Sequence, residues 1–222
     1  MGRVFAVLLI AGALWCPAAL AQPPAQPVAS PDPHWSLALG AGYFVPAVEG
    51  FSDQFGSRGG WMPVVALSYA LLPSLWVQGE AGYWAVKGFV RGALTGRASA
   101  DQERFSLIPL TAGLEYQARF SRDQFLVPFV GAGYRRTAYR LAVDGDEDIR
   151  GGANGWVARS GIDLALNALD PLSASSLYDE YAIARTSLRL EAQWSKVNAP
   201  GTAGDDIDLG GKTFLAALRF EF

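Results

Sequence analysis

The segment from Lys212 to Phe222 constrains the chain most. Phe214, Ala216, Leu218, Phe220 and Phe222 share one parity, and Thr213, Leu215, Ala217, Arg219 and Glu221 share the other. A period of two is a β-strand with two unlike faces. The same alternation recurs upstream at residues 35–45, 61–71, 75–86, 104–117, 125–140, 155–166 and 183–197. In the first of these, Trp35, Leu37, Leu39 and Tyr43 oppose Ser36, Gly40 and Gly42. In the third, Val77, Ala81 and Tyr83 oppose Gln78, Glu80 and Gly82. Together with the C-terminal segment this makes eight strands, so the chain is expected to be all-β.

Alternation alone fits a soluble sandwich as well as a membrane barrel, and the residues on the polar parity separate the two. They are small or charged: Gly113, Gly131, Gly133 and Gly161 stand among Glu80, Glu115, Arg135, Arg159, Asp163, Arg185, Arg189, Glu191, Arg219 and Glu221. A solvated sheet face favours lysine, threonine and glutamine, yet lysine occurs only at 87, 196 and 212. Glycine on that face points to a crowded lumen. The opposite parity carries leucine, valine and aromatics, including Trp35, Tyr43, Trp61, Tyr83, Tyr134, Trp156 and Trp194. Lipid covers such a face well, with aromatics at the interfaces. In lipid every backbone polar group needs a partner, so the sheet must close. Segments of about ten residues suit a tilted strand crossing a bilayer.

Connection lengths alternate. Residues 72–74 and 118–124 are short, whereas 46–60, 87–103, 141–154 and 198–211 are long, glycine-rich and polar. Short periplasmic turns with long outer loops are the asymmetry of bacterial barrels. Residues 167–181 depart from it, being long where a short turn belongs. Asp170-Pro171 there predicts a helical turn running through Ser176.

At the N-terminus, Arg3, an apolar run and Ala19-Leu20-Ala21 predict a secretory signal peptide over residues 1–21, with Gln22 first in the mature chain. Trp15 before Cys16 argues against lipoprotein processing. Residues 22–34, with five prolines, read as an unstructured leader, and 35–222 as the barrel.

The chain resembles the small eight-stranded outer-membrane barrels typified by OmpX and the transmembrane domain of OmpA. The stretches 75–84 (LWVQGEAGYW), 109–116 (PLTAGLEY) and 128–134 (PFVGAGY) carry that likeness. It implies an eight-stranded antiparallel transmembrane up-and-down β-barrel in the bacterial outer membrane, contacting outer-membrane lipids and lipopolysaccharide. It also implies that Phe220 and Phe222 form the signal to the barrel-assembly machinery. A chain stopping at Phe222 is expected to lack a following peptidoglycan-binding domain. Pro63, Pro109 and Pro128 each delete a ladder donor and call for bulges or strand ends.

Chemistry is sparse. The single histidine, His34, precedes the first strand, away from the outer loops where barrel hydrolases resemble one another in placing a histidine, so no enzyme is expected. Asp144-Gly145-Asp146-Glu147-Asp148 lacks the sixth-position glycine and distal glutamate of an EF-hand. It reads as a solvated acidic loop, as do Asp205, Asp206 and Asp208. No metal or cofactor is expected. The formal net charge of −3, without a basic stripe, excludes nucleic acid as a partner. An eight-stranded interior fits only its own side chains, so luminal charges must pair. Glu80 is expected to meet Arg159 or Arg189, and Asp163 to meet Arg185 or Arg219. The expected role is therefore non-enzymatic, structural or surface-interacting, in a monomer with a plugged lumen. The alternatives are a narrow passive channel for small solutes, as in OmpW-like barrels, and, remotely, a lipid-modifying enzyme.

Overall fold

Alternating strands joined by turns place each new strand beside the last, and a computed structural model shows how that sheet closes. It describes residues 33–48, 51–91, 98–121, 124–143, 148–200 and 206–222. The signal segment and all of the leader but its last two residues lie outside these. Ten strand segments are described: β1 (Trp35–Pro46), β2 (Gly60–Leu72), β3 (Leu75–Gly82), β4 (Trp84–Arg91), β5 (Ala98–Gln117), β6 (Leu126–Val143), β7 (Ile149–Ala165), β8 (Arg185–Pro200), β9 (Asp206–Asp208) and β10 (Gly211–Glu221). β4 continues the line of β3, and β9 that of β10, so the segments form eight walls. Every pairing is antiparallel. β10 pairs with β8 on one side and with β1 on the other, which closes an eight-stranded antiparallel up-and-down barrel of the transmembrane type.

The register fixes the two faces. Leu39 sits opposite Val65 and Leu218, all turned outward, while Ala38 sits opposite Ala66 and Arg219, all turned inward. The short connections, together with His34 and Phe222, gather at one end, which we term the turn end. The long connections gather at the loop end.

The three prolines fall where the ladder is interrupted. Tyr83 separates β3 from β4, and pairing with β5 skips from Ala81–Leu110 to Trp84–Leu107. Residues 108 and 109 lie opposite that gap, so Pro109 deletes no ladder bond there. The Pro63 carbonyl accepts from Tyr83 N–H at 3.2 Å, which turns the edge of Pro63 toward the same gap. Pro128 lies just past the end of β5 and accepts from Ala118 N–H.

Several expected boundaries are corrected. The strands continue well past 104–117, 125–140 and 155–166, reaching 20 residues in β5 and 18 in β6. Much of 87–103, 141–154 and 198–211 is therefore paired strand rather than loop. The sequence of these extensions keeps no sustained period of two in hydropathy, although the backbone ladder persists. The connection at 46–60 contains a short helix, α1 (Phe51–Phe55), whose Phe51 is buried. At the turn end, α2 spans Pro171–Tyr181, longer than the turn expected to Ser176. Asp170 caps it, accepting from Ser173 N–H at 3.1 Å and Ser173 Oγ at 2.6 Å. Ala182, at φ 56°, ends it by donating to the Leu177 and Tyr178 carbonyls.

Candidate functional site: the luminal charge network

Each inward side chain is aimed by strand parity, and closure brings together residues far apart in sequence. Glu80, Glu115, Arg135, Arg159, Asp163, Arg185, Arg189, Glu191, Arg219 and Glu221 are all buried. They form two tiers.

The lower tier, toward the turn end, is centred on Arg189. Its Nη1 and Nη2 donate to both Glu115 oxygens at 2.9 and 2.7 Å, and its Nε and Nη2 donate to both Asp163 oxygens at 2.8 Å. One guanidinium thus serves two carboxylates in paired forks, the geometry in which arginine surpasses lysine. Arg219 Nη1 adds donations to Asp163 at 2.9 Å and Glu115 at 3.4 Å, and its Nε reaches Ser36 Oγ at 3.2 Å. Aromatic rings back both cations: Arg189 lies 4.0 Å from the Phe129 centroid and Arg219 4.7 Å from that of Trp76. Nearer the mouth, Arg119 grips Glu221 at 2.8 and 3.1 Å, and Arg185 donates to the Gln124 carbonyl.

In the upper tier Glu80 accepts from Arg159 at 3.1 Å, Arg135 at 3.3 Å and Gln193 Nε2 at 3.0 Å. Arg135 also donates to Thr111 and Gln193, and Gln193 donates to Glu191. Glu191 stands 3.7 Å from both Arg159 and Arg189, joining the tiers. Glu80 therefore meets Arg159 and Arg135, not Arg189. Asp163 meets Arg219 and Arg189, not Arg185.

Glycine gives these side chains room. A Cβ on Gly131 would stand 3.0 Å from Arg159 Cγ, and one on Gly161 would stand 2.6 Å from Cζ of Phe129, the ring beneath Arg189.

The description of the lumen as small or charged throughout is corrected above the upper tier. There Phe44, Met62, Val64, Trp84, Leu107, Val197 and Leu215 form a buried apolar layer, with Phe51 from α1 and part-buried Phe55 and Phe105 packed on it. Trp84 is 0% exposed and meets the Phe44, Phe51 and Phe105 rings within 5.4–6.1 Å. At this height the described inward side chains pack on one another rather than pairing as ions.

Sequence reasoning missed Arg119 and the neutral relays Ser36, Thr111, Gln117 and Gln193. All share luminal parity, and 115–117–119 continues it past the strand end. Two of the loop acids, Asp148 and Asp208, are engaged by protein groups. Asp148 accepts from Arg140 and Arg150, and those hydrogen bonds hold its carboxyl below the ordinary range. Asp208 accepts from Val197 and Gly210 N–H. Residues 144–147 and Asp205 lie outside the described residues. His34 stands at the turn end with its ring against Tyr69.

The outward face is an apolar belt of Leu39, Val65, Leu67, Leu110, Leu114, Val130 and Leu218, all exposed. Tyr43, Trp61, Tyr83, Tyr134, Trp156 and Trp194 ring its loop end; Trp35, Tyr69 and Tyr116 lie toward its turn end. Eight residues separate Trp35 from Tyr43, and at ~3.3 Å per residue that is ~26 Å along the strand. Allowing for tilt, this approaches the ~25 Å belt height of membrane barrels.

A closed eight-walled barrel with a polar, paired interior and an apolar aromatic-edged exterior has the fold of the small outer-membrane β-barrels. Among solved structures, Neisserial surface protein A shares that fold at a TM-score of 0.55 and 13% identity, over 85% of this chain and 97% of that one. Ail of Yersinia pestis, solved with the heparin analogue sucrose octasulfate, aligns at 0.48 and 10% over 85% and 99%. The N-terminal β-barrel domain of Pseudomonas aeruginosa OprF aligns at 0.46 and 11% over 86% and 98%. No protein-family model matches the sequence, and no curated protein matches it.

Proposed function

We propose that the protein is a non-enzymatic barrel of the bacterial outer membrane whose lumen is plugged, so that it serves membrane integrity or surface contact through its loop end. The observation that carries the reading is the double fork of Arg189 on Glu115 and Asp163 beneath an apolar layer built on Trp84. A cation channel needs one sign of charge facing water. Here both signs face each other at hydrogen-bond distance. The apolar belt supports the membrane location, since a soluble chain would have to hide Trp61, 72% exposed, and Phe214, 61% exposed. The barrel acts as a monomer in contact with outer-membrane lipids. Phe220 and Phe222 serve as the signal to the assembly machinery, an assignment that rests on the resemblance to the family. Refolded protein in a planar bilayer should give no steady single-channel steps; regular steps of ion-selective conductance would favour a channel and overturn the plug.

A further inference from the structure

The outward surface just above the loop-end aromatics is rich in cations. Lys87, Arg104, Arg136, Lys196 and Lys212 all point outward there and are exposed. Nearby Arg140 and Arg150 share Asp148. By contrast Lys196 and Lys212 have no ion-pair partner among the described residues. They sit diagonally on adjacent strands, since Lys212 is opposite Trp194 and Lys196 lies two residues beyond it on β8. Like charges so placed repel, and an anion between them relieves the repulsion.

Directly beneath, the outward wall is hollowed. Ala158, Ser160 and Ala192 form the floor of a depression of about 260 Å³, walled by Trp194 and Phe214, with Lys212 at its rim. A second depression, of about 540 Å³, continues along Ala41, Ala192 and Ala216. Ser160 pairs with Ala192 and Ala41 with Ala216, so small residues face each other across neighbouring strands and keep the floor low. Trp156 packs edge-on against Trp194 at 4.8 Å, which fixes the wall.

We propose that this face of β7, β8 and β10 binds one anionic membrane lipid, with its phosphate between Lys196 and Lys212 and an acyl chain along the hollow below. The inference rests on the membrane reading above. The lysines supply the charge complement, the tryptophans stand at the depth of a headgroup boundary, and the groove runs from them into the apolar belt.

The three lysines make the test direct. Isotope-labelled dimethylation keeps their charge and gives each a distinct NMR signal. The barrel is placed in phosphatidylcholine nanodiscs, and phosphatidylglycerol is then titrated in. Lys196 and Lys212 should shift together and saturate, while Lys87, across the barrel on β4, shifts little. Inorganic phosphate should not reproduce the effect. Filling the floor with Ala192→Leu should weaken the response roughly threefold or more. Equal shifts at all three lysines, an equal response to inorganic phosphate, or an unaltered response in Ala192→Leu would overturn the site. A barrel that enters phosphatidylcholine discs folded but shows no phosphatidylglycerol response sinks the lipid site alone. One that enters no disc overturns the membrane reading together with the site.

Discussion

Arg189 shows how one side chain organises the interior. It pairs with Glu115 and Asp163 at once, so replacing it leaves two buried carboxylates sharing Arg219 alone. Removing one member of a buried ionic cluster costs roughly 3–5 kcal/mol in typical cases. Arg189→Met should therefore lower stability to urea in lipid vesicles by about that amount. Arg150→Met, at an exposed pair, should leave it within experimental scatter. A double-mutant cycle should find stronger coupling for Glu80 with Arg159 than for Glu80 with Arg189, because only the former are in contact; equal coupling energies would contradict the tiered arrangement. Strand parity made Glu80, Glu115 and Asp163 legible as inward residues. It could not name their partners, because Arg219 and Glu115 meet across the lumen, on strands that are not neighbours.

At the level of elements, α2 depends on its cap. Ser173 donates to Asp170 through hydroxyl and backbone N–H, and these bonds hold the Asp170 carboxyl below the ordinary aspartate range. A carboxyl with a depressed folded pKa contributes fully above its unfolded value, near 4, and loses that contribution as pH falls through the lower folded value. The Cα chemical shifts of 172–176 should therefore move toward coil values as pH drops below about 4, while barrel shifts stay put. Asp170→Ala should show the frayed values already at neutral pH. The Asp170-Pro171 pair made the start of α2 readable. Its end was not, because Ala182 adopts a left-handed conformation without the glycine or asparagine that usually marks it. The inner apolar layer escaped notice for a different reason. Met62, Trp84 and Leu107 lie on luminal parity, and hydropathy alone cannot say whether an apolar residue at the loop end faces lipid or seals the mouth.

For the whole molecule, alternating connections assign the ends. A peptide tag inserted at Gly56 should be stained on intact cells, whereas a tag at Ser121 should be stained only after permeabilisation; the reverse pattern would invert the topology. Phe222→Asp should reduce the amount of inserted, heat-modifiable barrel far more than a comparable change at Gly56, and normal membrane levels would count against the assembly signal. The eight walls and their faces were legible because lipid outside and a narrow lumen inside impose opposite chemistry on alternate residues. Wall length was not, since the strands outrun the apolar belt and pair on through sequence that lacks the alternation. The most direct test of the proposed plug is water exchange at the side-chain Nε–H of Arg189, which donates to Asp163 at 2.8 Å. A sealed lumen predicts a resolved resonance that exchanges far more slowly than that of exposed Arg150. Exchange as fast as Arg150 would mean that water runs through the barrel.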